Sequence, residues 1–376
     1  MNKTTKRKLK LKTKYINFLK ILFVIFVFVI GIFIFYKSQI NSLMKIGYSE
    51  SASKEIILSM NKDYVISVGE NKTLNAAFES RCYKEKNLEK YAKINYFDQE
   101  HLIQNINKLL EKGYSTSEIS MILAHGNDDD VVEFAKREKI KYLEEFYTID
   151  YAKLKYYDRY VLYSDETGED EETTVLYVNL DLDKDDYDSP VKVEKFSIDM
   201  LVNKHRNLDE NFEPDLTRID EKYASSDDME ANREAVNAFI KMYNAASKED
   251  LGLVINSAYR SYDEQVKIAD SYRNLYGENY VKRYVAKPGF SEHQTGLAFD
   301  IGSTTSNIFA DSEEYKWMLE NAYKYGFILR FSKRNEDITG FRSEPWHYRY
   351  VGKDIAKYIY ENNITLEEYF VLFLDK

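Results

Sequence analysis

Cysteine, proline and glycine are all scarce in this chain. Cys82 is the only cysteine among 376 residues, so no intramolecular disulfide forms, and an exposed thiol there could pair only between chains. Four prolines and 14 glycines exclude long disordered linkers. Basic charge is just as restricted. Residues 1–20 carry eight Lys or Arg and no acid, so the overall net charge of −10 leaves −18 on the remainder. A body that acidic, with no nucleic-acid motif, excludes nucleic acid as a partner. What is abundant is core material: 44% hydrophobic residues, with 33 Tyr and 21 Phe, enough for two domains of ordinary size.

The longest apolar run is Ile21 to Tyr36, extended past Lys20 by Phe18 and Leu19. At 1.5 Å per residue it matches the roughly 30 Å core of a bilayer, with Lys20 near enough the edge to snorkel. Residues 1–15 form a basic tail, which places the N-terminus in the cytoplasm and the rest outside, on a single-pass anchor over residues 16–36. The run is longer than a signal-peptide core and no small-x-small cleavage site follows Tyr36, so the expectation is an uncleaved anchor in the cell membrane.

Residues 37–190 read as an extracytoplasmic accessory region. Ile56–Met60 and Tyr64–Val68 are strands or helical turns, which the pattern leaves open. From 98 to 139 the spacing predicts a helical module of the kind that binds a partner or polymer. Leu102, Ile106, Leu109 and Leu110 recur at helical spacing, Ser115-x-x-Glu118 is a capping box, and Asp128–Asp130 can cap a third helix. His101 and His125 read here as surface or capping residues. Tyr- and Val-rich runs from Lys153 to Tyr163 and Thr174 to Leu182 flank an acidic stretch, which predicts a β-hairpin over 153–182. That acidic stretch lacks the spacing of a calcium loop.

Residues 195–374 alternate helix and strand: helices at Met229–Ala246, Tyr262–Tyr276 and Ser312–Tyr325, strands at Leu251–Ser257, Leu297–Ile301 and Phe327–Phe331, and helices near the C-terminus. This is an α+β domain with a small, largely antiparallel sheet. Within it, His293 and Asp300 are residue types that bind zinc. Seven residues apart, they would stand about 23 Å from each other in an extended chain, so they share a metal only if the chain folds back. Gln294-Thr295-Gly296 is the place for that, since Gly296 can take positive φ. Beyond it Leu297, Phe299 and Ile301 alternate with Ala298, Asp300 and Gly302, putting Asp300 on the face opposite the large side chains. His347 in Glu344-Pro-Trp-His is a third ligand. Two His and one Asp leave a fourth tetrahedral position for water, as catalytic zinc sites do. Taken singly, each of these residues reads as an ordinary loop residue or strand cap. His205 reads as polar surface, and Arg349 as structural.

Taken together, Ser257-Ala-Tyr-Arg-Ser with Glu264-Gln265, Ser291-x-His293-x-x-Gly296-x-Ala298-x-Asp300, and Glu344-Pro-Trp-His347 resemble the motifs of the VanY-type zinc D-alanyl-D-alanine carboxypeptidases, in that family's order. The superfamily also includes lysostaphin and the hedgehog domain. The resemblance runs from about Phe196 to Leu374. It implies one zinc per chain on His293, Asp300 and His347, with Glu344 as general base towards the zinc-bound water and a tight turn at Pro345 carrying it over the metal. It implies Arg260 as a guanidinium for the oxyanion or a substrate carboxylate, and Tyr259, Gln265 and Ser291 as substrate contacts. Trp346 reads equally as core packing or substrate contact. The implied substrate is a peptidoglycan stem peptide that loses its C-terminal D-alanine. Alternatives are an L,D-carboxypeptidase acting on tetrapeptide stems and a non-catalytic zinc-containing cell-wall binding domain, the latter disfavoured by Glu344 and Arg260 occurring together.

Overall fold

A computed structural model describes residues 3–140 and 143–375, and the chain divides into two compact units, residues 1–155 and 156–376. Among its described residues the first unit is helical. Helix α1 (Lys3–Met44) contains the whole apolar run, and its stretch Lys14–Met44 is long and apolar enough to cross a membrane. Past the apolar run, Ile40 and Leu43 are buried. Helix α2 (Glu50–Leu58) is capped by Ser49, whose side chain accepts from the Ala52 amide, and α3 (Lys62–Val68) follows, so both stretches left open above are helical. Next come α4 (Lys72–Glu79) and the short α5 (Leu88–Tyr91).

The three expected helices then appear as α6 (Leu102–Glu111), α7 (Thr116–His125) and α8 (Asp128–Phe134), followed by α9 (Leu143–Tyr147). The Ser115/Glu118 capping box forms, whereas α8 is capped by Asn127 instead of the aspartates after it. Buried Asn107 ties the layers together: its Oδ1 accepts from Asn87 and from the Tyr91 hydroxyl, both at 2.7 Å, and its amide donates to Cys82 O at 2.7 Å. His101 pairs with Asp128, and His125 Nδ1 donates to Ala152 O at 2.8 Å.

The second unit begins with a correction. The expected β-hairpin is a pair of helices, α10 (Tyr157–Thr167) and α11 (Glu171–Asn179). The acidic stretch between them holds a helix stop and a helix start: Gly168 closes α10 in the left-handed region (φ +71°), and Asp170 caps α11 by accepting from the Thr173 amide at 2.9 Å. Buried Thr174, Val175, Val178 and Asn179 recur at helical spacing, so packing overrides the β-propensity of Tyr and Val.

Two small ladders precede the main sheet. Strand β1 (Val191–Lys192) pairs parallel with β2 (Arg206–Asn207), and β3 (Leu216–Arg218) pairs antiparallel with β4 (Glu230–Asn232). Asn232 then caps α12 (Arg233–Ala246), whose Ala235, Phe239, Met242 and Ala246 face inward. The central sheet is antiparallel throughout and comprises β5 (Leu253–Ser257), β6 (Ala298–Ser303), β7 (Phe327–Phe331) and β8 (Glu344–Tyr350), in spatial order β5-β6-β8-β7. Between these strands the chain makes α13 (Tyr262–Tyr276), α14 (Glu278–Tyr284), α15 (Glu313–Asn321) and α16 (Glu336–Thr339), and it ends with α17 (Lys353–Asn362) and α18 (Leu366–Tyr369). Leu297, Phe299 and Ile301 are fully buried on one side of the sheet, where Phe299 packs edge-on to Phe239 of α12 and against Phe327 of β7. This large apolar core sits on one face, which leaves the other face of β6 and β8 for Asp300 and His347.

Candidate metal centre and catalytic cleft

Residues Glu292–Thr295 form a single 3₁₀ turn, and Gly296 reverses the chain at φ +69°. A Cβ at Gly296 would lie 2.9 Å from Leu216 Cδ2 and 3.1 Å from the Asn232 amide nitrogen, so the turn also needs glycine for space. The reversal brings His293 back over the start of β6, 3.4 Å (Nε2 to Oδ1) from Asp300. His347 is the cross-strand partner of Asp300 on β8, and its Nδ1 lies 3.3 Å from the same oxygen. The donor atoms of His293, Asp300 and His347 all lie within 4.8 Å of one another.

The other nitrogen of each imidazole is occupied. His293 Nδ1 donates to Ala258 O at 2.6 Å, and His347 Nε2 lies 3.2 Å from Glu292 Oε2. A carbonyl and a carboxylate only accept, so these nitrogens carry the protons and the inward ones present lone pairs. Asp300 Oδ1 is buried with no hydrogen-bond donor facing it. Two ligands about 2.05 Å from a tetrahedral ion stand about 3.3 Å apart, which is the separation seen from Asp300 to each histidine. The donor set therefore fits a small tetrahedral divalent metal. Burial would raise the Asp300 carboxyl and lower the His293 imidazole. The two histidines beside it override this at Asp300, holding that carboxyl well below its usual range, whereas at His293 burial prevails and the imidazole stays below its ordinary value.

Behind His347 lies a buried ionic cluster that sequence reading passed over. Glu292 Oε1 accepts from Arg330 Nε at 2.9 Å and from Arg349 Nη1 at 3.0 Å. Arg330 also makes a two-pronged pair with Glu367 of α18, at 2.9 and 2.6 Å. Arg349 donates besides to Ile198 O and Met200 O, which bears out its structural reading. One signal was available: Glu292 sits inside the His293 motif itself, directly before the candidate ligand.

Glu344 reaches the site by a different route from the tight turn expected. It lies in β8, where Phe331 pairs with Glu344 and Leu329 with Tyr348. Three residues of β8 thus oppose one of β7, a bulge at Pro345–Trp346 that changes the side alternation. Glu344 and His347 end on the same side, with Oε2 3.5 Å from Nδ1. Burial pushes the Glu344 carboxyl up, helped by Asp300 and opposed by His347 and Arg260.

Arg260 follows β5 and is held by its own segment. Its Nη1 donates to Gln265 Oε1 at 2.9 Å and its Nη2 to Ser257 Oγ at 3.1 Å, while Gln265 Nε2 donates to Ala286 O at 2.7 Å. Among the described residues no carboxylate forms an ion pair with Arg260. Its guanidinium faces a cleft of about 600 Å³ that is also lined by the three metal-ligand candidates, Glu344, Gln265, Ser291 and Trp346. Trp346 is 43% exposed at this cleft, so it is not core packing. Gln265 spends its amide on Arg260 and Ala286. Tyr259 does not line the cleft; its amide donates to Glu230 O.

The VanY family model, described as D-alanyl-D-alanine carboxypeptidase, matches residues 228–353. The putative carboxypeptidase YodJ of Bacillus subtilis is 47% identical over 179 residues, 45% of this chain and 66% of that protein. The bifunctional D-Ala-D-Ala dipeptidase and D-Ala-D-Ala carboxypeptidase VanXYC of Enterococcus gallinarum is 34% identical over 177 residues, 45% of this chain and 91% of its own length. Two enterococcal D-alanyl-D-alanine carboxypeptidases are matched over 43% and 64% of their length, so with YodJ these three relatives are each spanned over less than two thirds. A solved vancomycin-resistance D,D-pentapeptidase VanY in complex with Zn(II) is 31% identical over 46% of this chain and 98% of that one, with a TM-score of 0.41. The chain belongs to the VanY family of D-alanyl-D-alanine carboxypeptidases.

Proposed function

We propose that this protein is a membrane-anchored zinc carboxypeptidase that releases the C-terminal D-alanine from peptidoglycan stem peptides. The observation carrying this reading is the convergence, in one cleft, of a three-donor metal set, an acceptor carboxylate and a guanidinium that has no ionic partner among the described residues. His293, Asp300 and His347 would hold one zinc ion, which when bound supplies a Lewis acid to polarise the scissile carbonyl and acidify water.

The remaining chemistry belongs to the chain. Glu344, on the side of the ligand set and with its proton affinity raised by burial, takes the proton of the attacking water and returns it to the departing amine nitrogen. The water oxygen forms the new C–O bond as the C–N bond breaks, and free D-alanine leaves. Arg260 binds the substrate's terminal carboxylate or the developing oxyanion, held in aim by Gln265 and Ser257. A cation waiting for a free carboxylate favours cleavage at a chain end. Helix α1 would cross the membrane with its basic N-terminus inside, leaving the cleft on the side where stem peptides lie.

Purified protein should carry about one zinc per chain, and Glu344→Gln should keep it while losing about 10²–10⁴ in rate. Assay on stem peptides ending in D-Ala-D-Ala, beside their tetrapeptide counterparts, measures which terminal bond is cut. Near-wild-type D-alanine release by Glu344→Gln overturns the assignment of the base. Absence of release from both peptides by the zinc-loaded protein overturns the enzymatic reading.

A further inference from the structure

The first unit carries an apolar feature that its own fold does not use. At the corner between α2 and α3, Leu58 is 67% exposed and Met60 91% exposed. Met60 also has φ +60°, a left-handed conformation that glycine or asparagine adopts at lower cost.

The position of this corner along α1 follows from two hydrogen bonds. The Lys62 ammonium, at the start of α3, donates to the Gln39 side chain, and the Tyr48 hydroxyl donates to Gly69 O just past the end of α3. Helix α2 therefore descends alongside α1 towards the apolar run, and α3 climbs back. The turn from α2 into α3 is tied by Lys62 to Gln39, three residues past the end of the apolar run at Tyr36, so Leu58 and Met60 stand at the edge of that run.

We propose that this corner is a lipid-contacting surface, with Leu58 and Met60 entering the headgroup–acyl boundary of the bilayer crossed by α1 and Lys62 at the level of the phosphates. The inference rests on the anchoring reading above. Its occupant is lipid because the exposed side chains adjoin the exposed apolar surface of α1 at its edge, and because lysine beside apolar residues matches the polarity gradient of an interface. The consequence is a unit held against the membrane by two points instead of hanging from one helix.

The test uses the full-length chain in vesicles of neutral and anionic phospholipid, on a Cys82→Ser background. A polarity-sensitive dye is attached at Met60→Cys or Leu58→Cys, with Glu70→Cys, beyond the upper end of α3, as reference. Alkaline carbonate extraction is run on the same samples. The expected result is a blue-shifted dye at 60 and at 58, quenched by lipids brominated near the top of the acyl chains, with no quenching at 70. If the chain stays in the membrane but the dye at 60 is as wet as at 70, the corner inference falls and the anchor stands. Shielding without bromolipid quenching, the mark of a protein cover, also overturns it. Extraction of the chain by carbonate overturns the anchor and the corner together.

Discussion

A histidine presents one defined nitrogen to a metal only when the other nitrogen is held, and in this site the two holders differ. For His293 it is a backbone carbonyl, which no substitution removes; for His347 it is Glu292. Glu292→Gln should therefore lower metal affinity about 10–100-fold, read by competition with a chromogenic chelator. Glu292→Ala goes further, since it removes the hydrogen-bond acceptors as well as the carboxylate charge shared by the fully buried Arg330 and Arg349. Its cost should be about 3–5 kcal/mol, measurable by denaturant unfolding. Gly296→Ala tests the turn. The left-handed conformation costs roughly 1–2 kcal/mol for a residue with a Cβ, before the close approach to Leu216 and Asn232 is counted. The variant should lose metal together with stability.

At the level of elements, the α10–α11 pair shows how much a single side chain can decide. Arg159 of α10 donates to Val178 O at 2.9 Å, to Asp181 at 2.9 Å and to Asp183 at 2.8 Å, and Lys184 adds a 2.8 Å contact to Asp181. Arg159→Ala should cost about 1.5–3 kcal/mol, the range for a hydrogen bond to a charged group, in thermal or denaturant unfolding. The same cluster has a pH signature. Burial would raise the Asp181 carboxyl, but Lys184 and Arg159 override it and hold it below its usual range. A depressed carboxyl contributes stability that is fully present above the unfolded value of about 3.9 and is lost as pH falls through and below it. Asp181→Asn should flatten the acid limb of the stability curve while leaving neutral pH the less stable. An acid limb unchanged from wild type would show that the pair contributes nothing.

Across the whole chain, the apolar core around Phe239, Phe299 and Phe327 closes entirely within residues 156–376, and the metal-ligand candidates lie on the opposite face of its sheet. Expressed alone, that segment should fold cooperatively and retain the metal, as heat-capacity and metal-content measurements would record. Chelation should leave its far-ultraviolet dichroism unchanged yet lower its melting point. A metal present at 100 times its dissociation constant contributes about 2.7 kcal/mol to the folded state.

Much of the site was legible because its chemistry sits in short, contiguous motifs. The three motifs that resemble the family mark His293, Asp300 and His347 as candidate ligands, Gly296 marks the reversal, and apolar alternation puts Asp300 on the polar face of its strand; each is read from near neighbours in the chain. The sheet and the helices around it were legible for the same reason, since period and caps are local. Other features depended on packing between segments distant in sequence. Tyr157–Asn179 became helical because its buried positions find partners at helical spacing, although its composition suits strands equally well. Glu344 joined His347 through a bulge that exists only where β8 meets β7. Glu292, Arg330, Arg349 and Glu367 come from four separate stretches and acquire a role only when a buried histidine nitrogen needs an acceptor. The amino-acid sequence determined which groups were available for chemistry. Tertiary structure decided which of them are buried together, and burial is what makes a charge choose its partner.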